Sequence, residues 1–168
     1  LTFVGCGNEG SGLTDADGTI YKCVIGKQEW MSHNLNVEHF RNGDIIPEVK
    51  TDEDWERAGE EKRPAWCYYE NEKSNGEKYG KLYNWYAVND PRGLAPEGWH
   101  VPIETEWTAL IDYLSANGHD KEESKVLKSI SGWGYDGNGT DDYGWNGLPG
   151  GLRGYNGDFN NIGSYGLW

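Results

Sequence analysis

The chain is poor in several things at once. Its 168 residues include one methionine, three phenylalanines and three cysteines, and 15 basic side chains stand against 28 acidic ones. Three cysteines are an odd number, so at least one has no partner within this sequence. No apolar run reaches the eighteen residues that suggest a membrane-spanning helix. A net charge of −13 repels phosphate backbones, which argues against nucleic acid as a partner. Catalytic signatures are missing too. Ser11, Ser32, Ser74 and the other serines lie in no Gly-x-Ser-x-Gly elbow. His33, His39, His100 and His119 are scattered, with no His-Glu-x-x-His or Cys-x-x-Cys spacing for zinc.

What is abundant is aromatic and flexible: nine Trp, eleven Tyr and 25 Gly. Mean hydropathy is low at −0.84, but disordered chains lack aromatics. The composition fits one α+β or all-β domain with many turns, long enough to bury a core.

Local patterns place the elements. Asp15-Ala16-Asp17-Gly18 reads as a turn. Thr19 to Ile25 alternates as a strand, Gly26-Lys27 turns it, and Gln28 to Met31 returns. Ile20, Val24, Trp30 and Leu35 are expected to pack inward. Thr51 caps a helix whose buried side is Trp55 and Ala58; Gly59 weakens it and Pro64 ends it. Ala65 to Tyr69 is a strand, followed by a loop at Ser74-Asn75-Gly76. Pro96 and Gly98 form a turn, and Trp99 to Val101 runs extended because a residue before proline avoids helix. Trp107, Leu110, Ile111 and Leu114 recur on one face of a helix that stops at Asn117-Gly118. Val126, Leu127 and Ile130 form a short amphipathic piece.

Several of these blocks together resemble the Fibrobacter succinogenes major paralogous domain. They are Gly26 to Leu35, Tyr79-Gly80-Lys81-Leu82-Tyr83-Asn84-Trp85-Tyr86-Ala87-Val88, Pro96-x-Gly98-Trp99-His100-Val101-Pro102, Glu106-Trp107-x-x-Leu110, and Leu148-Pro149-Gly150-Gly151-Leu152-Arg153. The resemblance implies an α+β, C-type-lectin-like or formylglycine-generating-enzyme-like fold, with two helices on a twisted antiparallel sheet. It assigns Leu82 to Val88 to a helix, a stretch that fits helix or strand locally. Ile103 stands where relatives carry a capping Ser or Thr, which weakens that helix start by about 1 kcal/mol. Relatives run on by a strand or two after position 168. The oxidase chemistry of the formylglycine-generating type uses two late cysteines, and none follows Cys67, so no enzyme of that class is expected.

The first residues, Leu1-Thr2-Phe3-Val4-Gly5-Cys6, look like the tail of a bacterial lipoprotein signal peptide. Residues 1–13 are thus expected to be a signal remnant and tether, with Cys6 the lipidated residue, and 14–168 a single domain. The protein would then be lipid-anchored in the bacterial envelope. There Cys23 and Cys67 could pair with each other, or one with a cysteine further on.

Twelve of the 25 glycines lie from Gly132 on, interleaved with aromatics. Two echoes, Gly134-Tyr135-Asp136-Gly137 and Gly154-Tyr155-Asn156-Gly157, are too short to define a repeat. Trp133, Tyr135 and Tyr155 are expected to be presented on loops for stacking on sugars or on a protein partner. The alternative is that they fill core, as Trp145 is expected to. Asp136, Asn138, Thr140 and Asp142 space oxygens as calcium ligands do, but the closing Glu of an EF-hand would fall at Gly147. A plain turn competes with that reading. Three functions stand at this point: a non-catalytic envelope domain binding a glycan or surface protein, a surface-appendage or adhesin assembly component, and a hydrolase using acidic loop residues such as Asp141 and Asp142.

Overall fold

The structure, a computed structural model, describes residues 4–5 and 22–167. Its eight short strands are β1 (Val4–Gly5), β2 (Cys23–Ile25), β3 (Gln28–Trp30), β4 (Trp66–Cys67), β5 (Leu82–Tyr83), β6 (Trp99–His100), β7 (Leu152–Arg153) and β8 (Phe159–Asn160). Five helices are interspersed: α1 (Asp52–Glu60), α2 (Lys73–Tyr79), α3 (Trp85–Val88), α4 (Glu104–Leu114) and α5 (Glu123–Leu127). The strands form a four-stranded sheet in the order β2-β3-β1-β6 and two separate pairs, β4-β5 and β7-β8. All pairings within these sheets are antiparallel. The architecture is therefore mixed, with helices and small antiparallel sheets, as an α+β domain requires.

The β2-β3 hairpin turns at Gly26, whose φ of +62° is a left-handed conformation that favours glycine. Trp30 and Leu35 are buried as expected, but Val24 is exposed and Cys23 and Ile25 point inward instead. Side chains alternate along a strand, so moving the inward phase by one residue turns the whole set over. Ile20, expected inward, lies outside the described residues, as does Cys6. Val4 and Gly5 fall within the segment expected to be signal remnant and tether; they pair with both β3 and β6.

Helix α4 covers one face of this sheet. Its Leu110 and Leu114 are fully buried with Trp30, Ile25, Val126 and Trp145. Trp30 sits at the centre, with ring centroids 5.0 Å from Trp107 and 4.9 Å from Trp145. Trp145 is thus core, as expected. Ile111 and Ile130 are exposed instead of buried. The apolar stripe on α4 is narrower than the spacing suggests, because Leu110 and Leu114 alone reach the core beside a half-buried Trp107. Asn117-Gly118 does not stop the helix cleanly: a wider turn carries on to His119, with Gly118 at φ +93°.

At the start of α4, Ile103 occupies the capping position with φ −92° and ψ 165°. Its side chain has no acceptor, so only half of a capping box forms: the Glu106 carboxylate accepts the Ile103 N–H at 2.9 Å and also takes His100 Nε2 at 2.8 Å. Ile103→Thr is expected to stabilise the protein by about 1 kcal/mol, a rise of a few degrees in the melting midpoint. A flat or lowered midpoint would mean that the N-terminal amides of α4 are already satisfied.

A second core centres on Phe40, Leu35, Met31, Ile46 and Trp66, with Trp99 and Ala95 closing it. Arg41 holds the turn around Gly98 in place, donating from Nε and Nη2 to the Ala95 carbonyl at 3.0 and 2.9 Å and from Nη2 to the Trp99 carbonyl at 3.0 Å. A third, smaller core lies beneath α1, where Trp55 and Ala58 meet Ala65 and Cys67. Thr51 caps α1 as expected, accepting the Asp54 N–H at 3.1 Å. Helix α2 is new: the Ser74-Asn75-Gly76 stretch reads as a loop but is helical. Gly76 makes this possible, since a Cβ there would lie 2.1 Å from the Tyr68 ring.

The two cysteines do not pair. Both are free and buried, Cys23 in the core under α4 and Cys67 in the core under α1. Burial pushes the Cys23 thiol up to about 12, with Asp141 adding to the rise. Burial also takes Cys67 to about 11, against a partial offset from Arg153. Thiols held protonated in this way are inert at neutral pH.

Candidate functional site

The residues from Gly132 on divide sharply. Trp133, expected on the surface, is buried at 9 % exposure. Its indole N–H donates to the Gly147 carbonyl at 3.0 Å and the Ser129 hydroxyl at 3.2 Å, and the Lys128 ammonium lies 4.2 Å from the ring centroid. A partnered indole under a cation is structural, so Trp133 leaves the candidate site. Tyr135 and Tyr155 are outward at 98 % and 86 % exposure. The two short echoes turn out to share a geometry. Gly137 N–H donates to Gly134 O at 2.9 Å and Gly157 N–H to Gly154 O at 3.1 Å, so each is a tight turn with its tyrosine second.

The spaced oxygens have a structural use. Asn138 Oδ1 accepts the Trp133 N–H at 3.0 Å. The backbone beyond it lies along α5 and the residues after it: Gly139, Thr140 and Asp142 N–H groups donate to the carbonyls of Ser129, Lys125 and Val126. Gly139 is required by this close approach, because a Cβ would sit 2.3 Å from the Lys125 and Lys128 carbonyl oxygens. Asp141 Oδ1 accepts the Asn146 N–H at 2.7 Å. Thr140 and Asp142 thus belong to a segment bonded along α5, and Asn138 braces the Trp133 backbone, while Asp136 lies in the preceding turn at φ +57°. Among the described residues no group of three or more His, Cys, Asp or Glu is placed to hold a metal ion.

Tyr155 has neighbours on a groove of about 520 Å³, which it lines together with α1, β7 and the segment Tyr83 to Tyr86. Trp55 forms part of its lining, and one wall is the α1 face carrying Glu56, Gly59 and Glu60. These positions share a face because they are three and four residues apart. Gly59 leaves the wall open, since a Cβ there would touch nothing within 4 Å. The turn bearing Tyr155 is pinned at its end by Gly157, where φ is +90° and a Cβ would lie 2.5 Å from that of Asp52.

The facing wall comes from a strand and a short helix. Tyr83 in β5 donates its hydroxyl to the Val37 carbonyl at 2.7 Å. Asn84 caps α3, its Oδ1 accepting the Ala87 N–H at 2.9 Å and the Ala65 N–H at 3.0 Å while Nδ2 donates to Arg63 O. That leaves Leu82 in a strand, where the resemblance implies helix, and makes Trp85 the first residue of α3. Trp85 is 67 % exposed and is the one exposed tryptophan among the eight described. Beneath the groove Arg153 is sequestered, its side chain wholly buried between the Trp55 and Phe159 rings at 4.6 Å each.

Of the residues singled out from sequence, the groove contains Tyr155 alone. Trp85, Tyr86, Glu56 and Glu60 were missed. Trp85 and Tyr86 fit helix or strand locally with nothing to mark them as a site, and Glu60 opens the charged run Glu60-Glu61-Lys62-Arg63, which reads as a solvated turn.

The fold and the groove together define a small α+β domain with an aromatic, acid-lined recess on its surface. Residues 23–168 match the Fibrobacter succinogenes major domain, and the chain belongs to that family. No curated protein and no solved structure matches it.

Proposed function

We propose that this is a non-catalytic envelope domain whose groove binds a glycan, on a C-type-lectin-like scaffold. The reading rests on Trp85. Every other described tryptophan is buried or half-buried, whereas this one lies open on the groove wall with Tyr155 on the lining and Tyr86 beside it. An indole held by a helix start and left to solvent is a ready stacking surface, and pyranose faces stack on such rings. A recess of several hundred Å³ suits a short oligosaccharide. Attachment through a lipidated Cys6 belongs to the same reading. It is supported by the apolar run before that cysteine.

The test is titration of the full chain with a panel of neutral and charged oligosaccharides. Binding is expected for at least one, and Trp85→Ala should weaken it tenfold or more while leaving the melting midpoint unchanged. Equal affinity in that variant, or silence across the panel, would discard the proposal. Release of new reducing ends during the titration would replace binding by hydrolysis.

A further inference from the structure

On the reading just given, we infer that the groove selects an amine-bearing glycan, a chain of hexosamine units with free amino groups, and rejects acidic ones. The argument is one of elimination over the polar groups that open on it. The Asn84 amide is used up on the backbone of Ala65, Ala87 and Arg63. The Tyr83 hydroxyl is bonded to Val37. Arg153 is on the lining, but its guanidinium is buried and bonded to the carbonyls of Val49, Lys50 and Gly157 and to Asp52, so it offers no free donor to a ligand.

What remains are two carboxylates and the phenols. Glu56 and Glu60 stand one helical turn apart on the groove wall, and neither has a salt-bridge partner among the described residues. Two nearby basic side chains are engaged elsewhere: Arg57 pairs with Asp54 and Arg63 with Glu61, both lining a separate recess. Two like charges one turn apart repel each other, and a cation between them relieves that repulsion. The Trp85 face attracts the same cation through its quadrupole. A uronate or sulfate group would be set against the two open carboxylates, since the one cation on the lining, Arg153, is already bonded. A protonated amine on a pyranose satisfies the stacking ring and the carboxylates together.

The experiment compares four probes of equal length on the full chain at about pH 6, where a sugar amine is largely protonated. They are a β-1,4-glucosamine oligomer, its N-acetylated form, a neutral β-1,4-glucose oligomer and an oligogalacturonate. The glucosamine oligomer is expected to bind roughly tenfold tighter than its N-acetylated form in low salt, with the advantage shrinking as salt screens it, and oligogalacturonate weakest of all. The double variant Glu56→Gln/Glu60→Gln should lose the tenfold preference, with an unchanged melting midpoint showing that it is folded. Neutral binding with no charge preference overturns this inference and leaves the glycan reading standing. Silence from all four sugars removes both. A short lysine peptide that binds while the sugars do not would assign the groove to a protein partner and overturn it as well.

Discussion

Arg153→Ala is expected to cost about 3–5 kcal/mol, enough to lower the melting midpoint by about 10 °C or more in a domain of this size. The side chain is wholly buried. Its Nε donates to Gly157 O at 2.8 Å, Nη1 to Val49 O at 2.8 Å, and Nη2 to Lys50 O at 3.0 Å and Asp52 Oδ1 at 2.9 Å. Rings of Trp55 and Phe159 lie against the guanidinium. One side chain therefore ties β7 and the Tyr155 turn to the start of α1, about a hundred residues earlier. Removing it strands three carbonyls and opens a cavity between two rings. Arg153→Lys should recover little, because a point ammonium cannot reproduce a planar fork that bonds and stacks at once. Asp52→Asn should cost under about 1 kcal/mol, since Asp52 is largely exposed and an exposed pair is weak. Thermal or urea unfolding of the three variants reads this directly. A full rescue by lysine would show that charge alone matters, and the account of Arg153 as a stacked, multidentate pin would fail.

The second large effect is expected at Lys81, whose side chain is only 3 % exposed. Its ammonium lies 4.5 Å from the Trp66 ring centroid and 5.1 Å from that of Tyr68. It donates to Asn36 Oδ1 at 2.7 Å and Asn36 O at 3.0 Å, and Glu38 completes the shell at 3.4 Å. Burying an ammonium is costly unless it is paired, and here the partners are in place. Lys81→Met keeps the stem but leaves the Asn36 oxygens without their cation, so a loss of about 2–4 kcal/mol is expected. A double-mutant cycle with Tyr68→Leu should show a coupling of about 1 kcal/mol. Zero coupling would mean the rings merely cover the stem. Lys81 immediately precedes β5, so the variant should also loosen the groove wall at Tyr83 and Trp85.

Elements specified by neighbours in sequence were legible. The Thr51 cap and the Trp55 and Ala58 spacing give α1 with its buried side, because a helix start and its face depend on residues three or four apart. The Gly26 turn and the strands around it were legible for the same reason. Their inward phase was not: Cys23 and Ile25 face Leu110 and Leu114, more than eighty residues on, and only that packing distinguishes one strand face from the other. Helix α2 was illegible because its own residues favour a turn. Trp133 was misplaced because the acceptor of its indole is Gly147, fourteen residues away.

The groove was legible at one residue, Tyr155, flagged by an aromatic inside a glycine turn. Its other parts come from α1, β5 and α3, and no short-range pattern marks Trp85 or Tyr155 as a neighbour of Glu56 and Glu60. Family membership, the mixed helix and strand content, the acidic surface and the turn positions were set by the order and spacing of residues along the chain, since propensity and turn chemistry act over a few residues. Which rings became core and which stayed open was decided by tertiary packing. A side chain is buried only where distant segments supply the apolar contacts that cover it, and Trp133 met them, with acceptors for its indole N–H, while Trp85 did not.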